Sequence, residues 1–164
     1  MENIGCVTYN EGYLPKEAPS KTRLTRFCQT LIHEMAHMWF GNLITMKWWD
    51  DLWLNESFAE YISHYCMANG YGDEFVDIWG YFLGGKSWGY SSDQNSTTHP
   101  ICVRINNTEE AETLFDGISY SKGSAVLKQL AYVVTEDLFK EGLQNYFRQY
   151  SWSNTTFDDL IICL

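Results

Sequence analysis

The stretch from residue 33 to residue 61 reads HEMAHMWFGNLITMKWWDDLWLNESFAEY and is the most informative part of the chain. It opens with the pattern H-E-x-x-H, in which His33 and His37 lie four residues apart and Glu34 follows the first histidine. Four residues are just over one helical turn, so both imidazoles project from the same face of a helix and can bind one metal ion. The pattern therefore predicts a metal site, against the simpler interpretation of two histidines on a partly buried helix face beside an unrelated carboxylate.

A third metal ligand is available in the same stretch. Glu56 lies nineteen residues after His37, at the start of the next predicted helix, and a helical hairpin would bring its carboxylate to the two imidazoles. A catalytic zinc ion takes three protein ligands and keeps one position open for water, and two imidazoles with one carboxylate suit zinc. The spacing predicts one zinc ion per chain, held by His33, His37 and Glu56, with Glu34 close enough to act as the general base.

Helices are predicted on both sides of this stretch. Ser20 or Thr22 can cap a long helix that runs to about Phe40, with an apolar stripe formed by Leu24, Phe27, Leu31, Met35 and Met38. A second helix is predicted over residues 55–69, ending at Gly70, and further helices over residues 73–82, 119–134, 136–150 and 157–164. Residues 4–9 are rich in β-prone side chains and predict a short strand. The fold class is therefore mostly α, with a short strand element at the N-terminus.

The second half of the chain is expected to form a helical second lobe. Residues 84–116 are rich in Gly, Ser, Asn and Thr and are the best candidate for a boundary between two lobes of a single domain over residues 1–164. Asp50 and Asp51 are expected to fix the turn between the two metal-binding helices. The aromatic residues near them are expected to be core rather than a ligand cage; they are Trp39, Phe40, Trp48, Trp49 and Trp53.

Composition limits the possible functions. Of 164 residues, 45% are hydrophobic and 20% charged, which is typical of a folded domain and not of a disordered chain. A formal net charge of −10 would repel a phosphate backbone, so nucleic acid is not an expected partner. The sequence has no long apolar run that predicts a membrane span, and its first residues do not resemble a secretion signal. Five scattered cysteines without a C-x-x-C pair favour reduced thiols and a cytoplasmic location.

Three motifs resemble those of one enzyme family and follow its order. Residues 33–61 resemble the signature of the gluzincin zinc aminopeptidases related to aminopeptidase N and puromycin-sensitive aminopeptidase, with H-E-x-x-H-x-W-F-G-N followed by W-W-D-D-L-W-L-N-E. Residues 1–9, MENIGCVTY, resemble the family's G-x-M-E-N exopeptidase motif and the strand after it. Residues 115–123, FDGISYSKG, resemble the segment that carries the family's catalytic tyrosine. The resemblance implies a thermolysin-like catalytic domain that removes single amino-terminal residues from peptides.

The resemblance also implies roles for individual side chains. Tyr120 matches the residue that donates a hydrogen bond to the oxyanion of the tetrahedral intermediate, and Glu2 matches the glutamate that binds the free α-amino group of the substrate. Asn3 belongs to the same motif as Glu2, and Met1 matches part of the first specificity pocket. Glu60 lies one helical turn after the glutamate ligand and is a candidate to orient a ligand imidazole; an exposed helix carboxylate is the alternative.

Two departures from the family pattern leave alternatives open. Ser57 replaces the Gly that is usual after the third metal ligand. The β-rich amino-terminal domain and the helical carboxy-terminal domain of typical members are missing from these 164 residues, so a partial catalytic domain is expected. The alternatives are a zinc-binding fragment without activity and an epoxide hydrolase that shares the family's site. Expected partners are peptides with a free amino terminus and, through surfaces that flanking domains would cover, other copies of the chain.

Overall fold

Helices make up most of the computed structural model, which describes residues 1–70 and 75–164. They are α1 (Lys21–Ala36), α2 (Leu52–Gly70), α3 (Ile78–Asp93), α4 (Thr108–Glu112), α5 (Gly123–Val134), α6 (Glu136–Tyr150) and α7 (Phe157–Cys163). A two-stranded sheet pairs β1 (Ile44–Met46) with β2 (Ser153–Thr155), and a π-helical turn over Ile118–Lys122 leads into α5. The predicted mostly α fold class is confirmed. Among the described residues, no helix combines the length and the apolar character needed to cross a lipid bilayer.

The first long helix begins where the sequence predicts and ends earlier. The Ser20 hydroxyl accepts a hydrogen bond from the Arg23 amide at 3.3 Å and caps the start of α1. The helix stops just before His37 because the chain then turns back into β1, and Gly41 in that turn has a φ of +116°, a region that favours glycine. A β-carbon at this glycine would lie 2.7 Å from Asn55 Oδ1. The turn therefore brings the end of α1 close to the start of α2.

The buried face of α1 differs from the predicted apolar stripe. The buried residues are Thr25, Gln29, His33 and Ala36, whereas Leu24 and Met35 of the stripe are exposed and Phe27, Leu31 and Met38 are half-buried. The physical reason is that α1 packs on α2 through the face that carries the metal-binding pattern. The side chains that face the neighbouring helix are therefore mainly polar, and the apolar stripe lies outside the buried face.

The small sheet does not lie where the sequence predicts a strand. Residues 4–9 form no strand; there the Cys6 amide donates to the Asn3 carbonyl at 3.0 Å and Gly5 has a φ of +80°, as in a tight turn. β-prone side chains form a strand only beside a partner strand, and the described part of the chain places none here. The parallel sheet instead pairs residues 44–46 with residues 153–155. This pairing attaches the last part of the chain to the connection between α1 and α2.

Aromatic rings at the centre of the core hold α2 in place. Phe40, in the turn after α1, lies against Phe58 of α2 with ring centroids 3.6 Å apart and against Tyr146 of α6 at 5.7 Å. Trp53, early in α2, is also buried, and its ring centroid lies 5.2 Å from that of Phe157 in α7. The core thus joins α2 to α6 and α7, and it fixes the helix that carries the third predicted metal ligand.

The prediction that all five aromatic residues of the run belong to the core is wrong for three of them. Trp39, Trp48 and Trp49 are 52%, 47% and 37% exposed. The Trp48 indole donates a hydrogen bond to the Ile105 carbonyl at 2.7 Å, and Trp49 lines the cavity described below. Trp48 therefore makes a surface contact, Trp49 belongs to the cavity wall and Trp39 is exposed, because the connection between the helices runs over the surface.

Two acidic residues fix this connection, as expected from the sequence. Asp50 Oδ1 accepts a hydrogen bond from the Ile105 amide at 2.5 Å. Asp51 Oδ2 accepts one from the Phe157 amide at 3.1 Å, at the start of α7. Both hydrogen bonds span long distances in sequence. They therefore attach the connection between α1 and α2 to two later parts of the chain, and not to residues within the connection.

The second half of the chain is more helical than predicted. The structure has α3 over Ile78–Asp93, where the prediction has residues 73–82, of which residues 73 and 74 lie outside the described part. Its glycines allow close packing: a β-carbon at Gly89 would approach the Lys122 amide nitrogen to 3.1 Å and the Gly117 carbonyl oxygen to 3.2 Å. Part of the Gly-rich segment 84–116 is therefore helical, and α4 is a helix that the sequence analysis missed. The three later predicted helices are confirmed: residues 119–134 correspond to the π-helical turn together with α5, residues 136–150 to α6 and residues 157–164 to α7.

Candidate metal centre

Two helices bring three metal-ligating side chains to one point. His33 lies on α1, His37 directly follows that helix, and Glu56 lies early in α2. His33 Nε2 is 3.1 Å from His37 Nε2 and 3.3 Å from Glu56 Oε2, and His37 Nε2 is 3.4 Å from the same carboxylate oxygen. All three side chains are buried. Within residues 1–70 and 75–164, they are the group of His, Cys, Asp and Glu residues with the geometry to hold a metal ion.

The spacing of these atoms suits a zinc ion. Zinc in proteins is bound tetrahedrally by histidine nitrogen and carboxylate oxygen at about 2.0–2.1 Å, which places neighbouring ligand atoms about 3.3 Å apart. The three measured separations, 3.1, 3.3 and 3.4 Å, agree with that value. Two imidazoles and one carboxylate are also a donor set of catalytic zinc sites, whereas structural sites usually contain thiolates. The residues present therefore fit a catalytic zinc ion.

The Glu60 carboxylate lies behind the first histidine. Glu60 Oε2 is 3.4 Å from His33 Nδ1, the ring nitrogen that is not part of the triangle, and the Gln29 amide donates to the same carboxylate oxygen at 2.9 Å. Partners of this kind hold the ring orientation and tautomer of a metal-binding histidine. Sequence reasoning selected Glu60 and missed Gln29. The available signal was a polar residue one turn before His33, on the same face of α1.

The second histidine has its own partners. His37 Nδ1 lies 3.0 Å from Asn55 Oδ1 and 3.1 Å from the Phe40 carbonyl oxygen, and either oxygen can accept its proton. The Nε2 atom then faces the other two ligand atoms. Sequence reasoning also missed Asn55, although it directly precedes the glutamate ligand. A residue next to a metal ligand in sequence also lies close to the metal site, and this proximity was the available signal for Asn55.

Without a metal ion, the neighbouring carboxylates raise the pKa of both histidines although burial opposes it. Burial is the largest influence on His33 and disfavours its charged form, but hydrogen bonds and charges from Glu56 and Glu60 together outweigh it and raise the pKa of His33 to about 9. Burial also opposes ionisation of Glu56, but hydrogen bonds from His33 and His37 outweigh it and lower the pKa of Glu56 to about 2. A metal ion that binds here at neutral pH must therefore displace a proton from His33.

Tyr120 faces the metal-binding cluster from the π-helical turn. Its ring is stacked on that of His33, with centroids 6.0 Å apart and planes 18° apart. Burial, followed by the charge of Glu56 and a hydrogen bond with it, raises the pKa of the Tyr120 phenol far above its usual range. Asp116 Oδ1 accepts two backbone amides at 2.8 and 3.2 Å and holds the start of the turn. The phenol therefore keeps its proton beside the cluster and is available as a hydrogen-bond donor.

One cavity joins most of the predicted catalytic and substrate-binding residues. Its volume is about 470 Å³, and its lining includes Met1, Glu2, His33, Glu34, His37, Glu56, Glu60 and Tyr120. Glu34 Oε2 lies 3.1 Å from the Met1 amino nitrogen, and the Glu2 carbonyl accepts a hydrogen bond from Asn42 Nδ2 at 2.7 Å. Asn3 is outside this lining and its amide donates to the Thr8 hydroxyl at 3.4 Å. Of the predicted residues, the structure brings all but Asn3 to one cavity.

Comparison with known proteins places this arrangement in a family. The model of the peptidase family M1 domain matches residues 1–164. This chain belongs to peptidase family M1. Similar proteins include aminopeptidase N of Streptomyces lividans (43% identical over 162 residues) and leucyl aminopeptidase of Saccharolobus solfataricus (41% over 162 residues). Aminopeptidase Ey of Gallus gallus is 40% identical over 166 residues.

The M1 match extends over the chain but not over its relatives. Each of these three alignments covers 98% of this chain, and they cover 19%, 20% and 17% of the respective relatives. The chain therefore spans about a fifth of the length of the curated relatives that it matches. The resemblance inferred from the three sequence motifs is confirmed, and the buried His-His-Glu cluster lies in an M1 domain.

Proposed function

We propose that this M1 domain is the zinc-dependent catalytic domain of an aminopeptidase and removes single amino-terminal residues from peptides. The observation that carries the proposal is the triangle of His33, His37 and Glu56 ligand atoms in the wall of a cavity that Glu34 and Tyr120 also line. The relatives support it, because they are named aminopeptidases. We treat residues 1–164 as one partial catalytic domain with a lobe boundary within residues 84–116.

The chemistry of the proposed reaction begins with the metal ligands and one base. His33, His37 and Glu56 would hold the zinc ion, which when bound supplies a Lewis acid and lowers the pKa of a coordinated water to about 7. Glu34 directly follows His33 and its carboxylate lines the same cavity. It takes the proton of the attacking water on a carboxylate oxygen and passes that proton to the leaving amine, so that each cycle returns the carboxylate.

Tyr120 is the proposed oxyanion donor. Its phenol keeps its proton because burial and the Glu56 carboxylate disfavour the phenolate. The ring is held against His33, so the donor is oriented before the substrate arrives. A donor fixed in advance stabilises the negative charge that develops on the substrate carbonyl oxygen, and removing one such donor typically costs about 10²- to 10³-fold in kcat.

Glu2 is the proposed anchor for the substrate amino group. It lines the cavity that contains the metal ligands, and its backbone is held by the Asn42 side chain. A carboxylate at a fixed place beside the metal site binds an ammonium group favourably, so cleavage is set one residue from the free end of the peptide. Met1, on the same cavity wall, is the proposed contact for the first side chain of the substrate.

Hydrolysis of fluorogenic aminoacyl substrates by the zinc-loaded chain tests this proposal. The matched control is Glu34→Gln, which preserves side-chain size and removes the base. We expect the unmodified chain to hydrolyse substrates with a free amino group, to ignore the acetylated forms and to lose activity with a chelator. The variant should keep one zinc ion per chain and lose turnover.

The other outcomes separate the alternatives. Zinc bound at one equivalent with no turnover would identify a zinc-binding fragment that lacks activity alone. Equal cleavage of free and acetylated substrates would contradict the role of Glu2. Less than half an equivalent of zinc after loading would contradict the metal site itself.

A further inference from the structure

A buried hydroxyl group connects the two halves of the candidate site. Ser57 directly follows the metal ligand Glu56 in α2 and is completely buried. Its Oγ donates a hydrogen bond to the Ser119 carbonyl oxygen at 2.5 Å, across 62 residues of sequence. Ser119 directly precedes Tyr120 in the π-helical turn. One hydrogen bond thus joins the neighbour of a metal ligand to the neighbour of the proposed oxyanion donor.

The surrounding structure is shaped to accept this hydroxyl. Gly123, at the start of α5, faces Ser57 without a side chain between them. A β-carbon at Gly123 would overlap the Ser57 hydroxyl and lie 3.0 Å from Ser57 Cβ and 3.1 Å from Trp53 Cε3. The hydroxyl therefore occupies space that exists because residue 123 is glycine, and it has little freedom to turn elsewhere.

The π-helical turn has a second, separate attachment at its start. Asp116 accepts the backbone amides of Ile118 and Ser119, which fixes where the turn begins. That attachment lies within the same segment, so it cannot set the distance between the turn and α2. The Ser57 hydroxyl is a polar contact that does so, because α2 is a continuous helix and Glu56 and Ser57 move together.

We propose that Ser57 is a positioning residue that sets the place of the Tyr120 phenol relative to the metal ligands. The inference rests on the proposed function, since it concerns the same reaction. Ser57 is not in the lining of the cavity, so its proposed effect on the reaction acts through Tyr120. Loss of the hydroxyl should let the turn shift against α2 and move the phenol away from the developing oxyanion, which lowers kcat more than it raises KM.

A double-mutant cycle tests the inference with the zinc-loaded chain. The four proteins are the unmodified chain, Ser57→Ala, Tyr120→Phe and the double variant. Two quantities are measured for each: kcat and KM on a fluorogenic aminoacyl substrate, and the Kd of a phosphinic dipeptide, whose tetrahedral anion offers an oxygen to the phenol. We expect Ser57→Ala to lower kcat about tenfold with KM nearly unchanged, as a displaced catalytic group does. In the Tyr120→Phe background the same change should have no further effect on kcat or on Kd.

A matched control separates positioning from loss of stability. Ser124 is also buried and its hydroxyl donates to the Ser121 carbonyl of the same turn at 3.0 Å, but this contact stays within one segment. Ser124→Ala should therefore leave kcat and Kd unchanged. Ser57→Gly, the residue usual in the family pattern, is the second variant if Ser57→Ala does not fold, and it should show the same coupling to Tyr120.

The outcomes distinguish failure of the inference from failure of the proposed function. If the unmodified chain neither turns over nor binds the phosphinic dipeptide, the proposed function is wrong and the role of Ser57 falls with it. If it binds the dipeptide without turnover, the Kd cycle alone decides. Losses from Ser57→Ala that add fully to those of Tyr120→Phe, or that Ser124→Ala matches, would overturn the positioning role only.

Discussion

Replacement of Glu60 by glutamine tests how this carboxylate controls metal binding. Glu60→Gln keeps the size of the side chain but removes the charge that lies 3.4 Å from His33 Nδ1. Two effects on zinc affinity then oppose each other. The carboxylate orients the ring and makes it a better ligand, but it also raises the pKa of His33, so a proton competes more strongly with the metal ion.

The magnitudes decide which effect prevails at each pH. At pH 7, proton competition reduces the apparent affinity about 100-fold, because the His33 pKa of about 9 lies two units above that pH. Loss of a partner behind a metal-binding histidine typically costs about 10- to 100-fold in affinity, or about 1.4–2.7 kcal/mol. Above pH 9 the proton has gone and the second effect acts alone. Because Glu56 also raises the pKa of His33 and remains in the variant, Glu60→Gln removes only part of the proton competition. We therefore expect the variant to bind zinc about 10- to 100-fold more weakly above pH 9, and to lose less affinity at pH 7.

Competition titrations with a chromophoric zinc chelator measure this prediction across the range from pH 6 to above pH 9. The apparent affinity of the unmodified chain should rise with pH until about 9, and that of the variant should stop rising earlier, because its His33 loses its proton at lower pH. Glu112→Gln, which removes an exposed carboxylate of α4 outside the cavity lining, is the control and should change neither quantity. Identical pH profiles for Glu60→Gln and the unmodified chain would refute the reasoning.

Three further predictions concern stability. Without metal, the raised pKa of His33 (to about 9) stabilises the fold fully below pH 6.5, and this stabilisation is lost as the pH rises to about 9. The lowered pKa of Glu56 (to about 2) stabilises the fold above pH 4.5, and this stabilisation is lost as the pH falls to about 2. Tm in the presence of chelator should therefore be highest between about pH 4.5 and 6.5, and a Tm that rises from pH 6.5 to 9 would contradict this prediction. Gly123→Ala should lower the free energy of unfolding in urea by about 1–3 kcal/mol through overlap with Ser57, and an unchanged midpoint would show that the site relaxes. Thr156→Ala removes the cap of α7 and should lower the free energy of unfolding by about 1 kcal/mol in the same assay. A loss below about 0.3 kcal/mol would show that packing, and not this cap, stabilises the start of α7.

The metal centre could be predicted from sequence because its main contacts are local. His33 and His37 are on one face by helical spacing alone, and Glu56 needs only that the next helix packs back on the first. Both steps can be predicted without knowledge of the distant contacts that hold α2 in place. The same locality explains why the start of α1 at Ser20 and the whole of α6 agree with the prediction, since capping and helical periodicity are properties of neighbouring residues.

The features that sequence did not predict depend on contacts between distant residues. The pairing of Thr45 with Asn154 joins strands of three residues, too short to be read from periodicity, and a strand predicted at residues 4–9 has no partner in the described part of the chain. The hydrogen bond from Ser57 to Ser119 depends on a π-helical turn, which has no sequence signature of its own. The prediction of the buried face of α1 was wrong because apolar periodicity indicates that a segment is helical, but it does not show which side of the helix contacts another element.

Under the proposed function, the charges of the cavity would connect the metal site with substrate choice. Four carboxylates, those of Glu2, Glu34, Glu56 and Glu60, line a cavity of about 470 Å³ in a chain whose formal net charge is −10. One divalent ion compensates only part of that charge, so the remaining field attracts a further cation. The amino terminus of a peptide is the cation that a peptidase substrate offers at its end, whereas an acetylated terminus offers none. Preference for free amino termini would then follow from the whole set of carboxylates. In this proposal Glu2 fixes the position of the substrate ammonium group, and the other three carboxylates supply part of the electrostatic attraction.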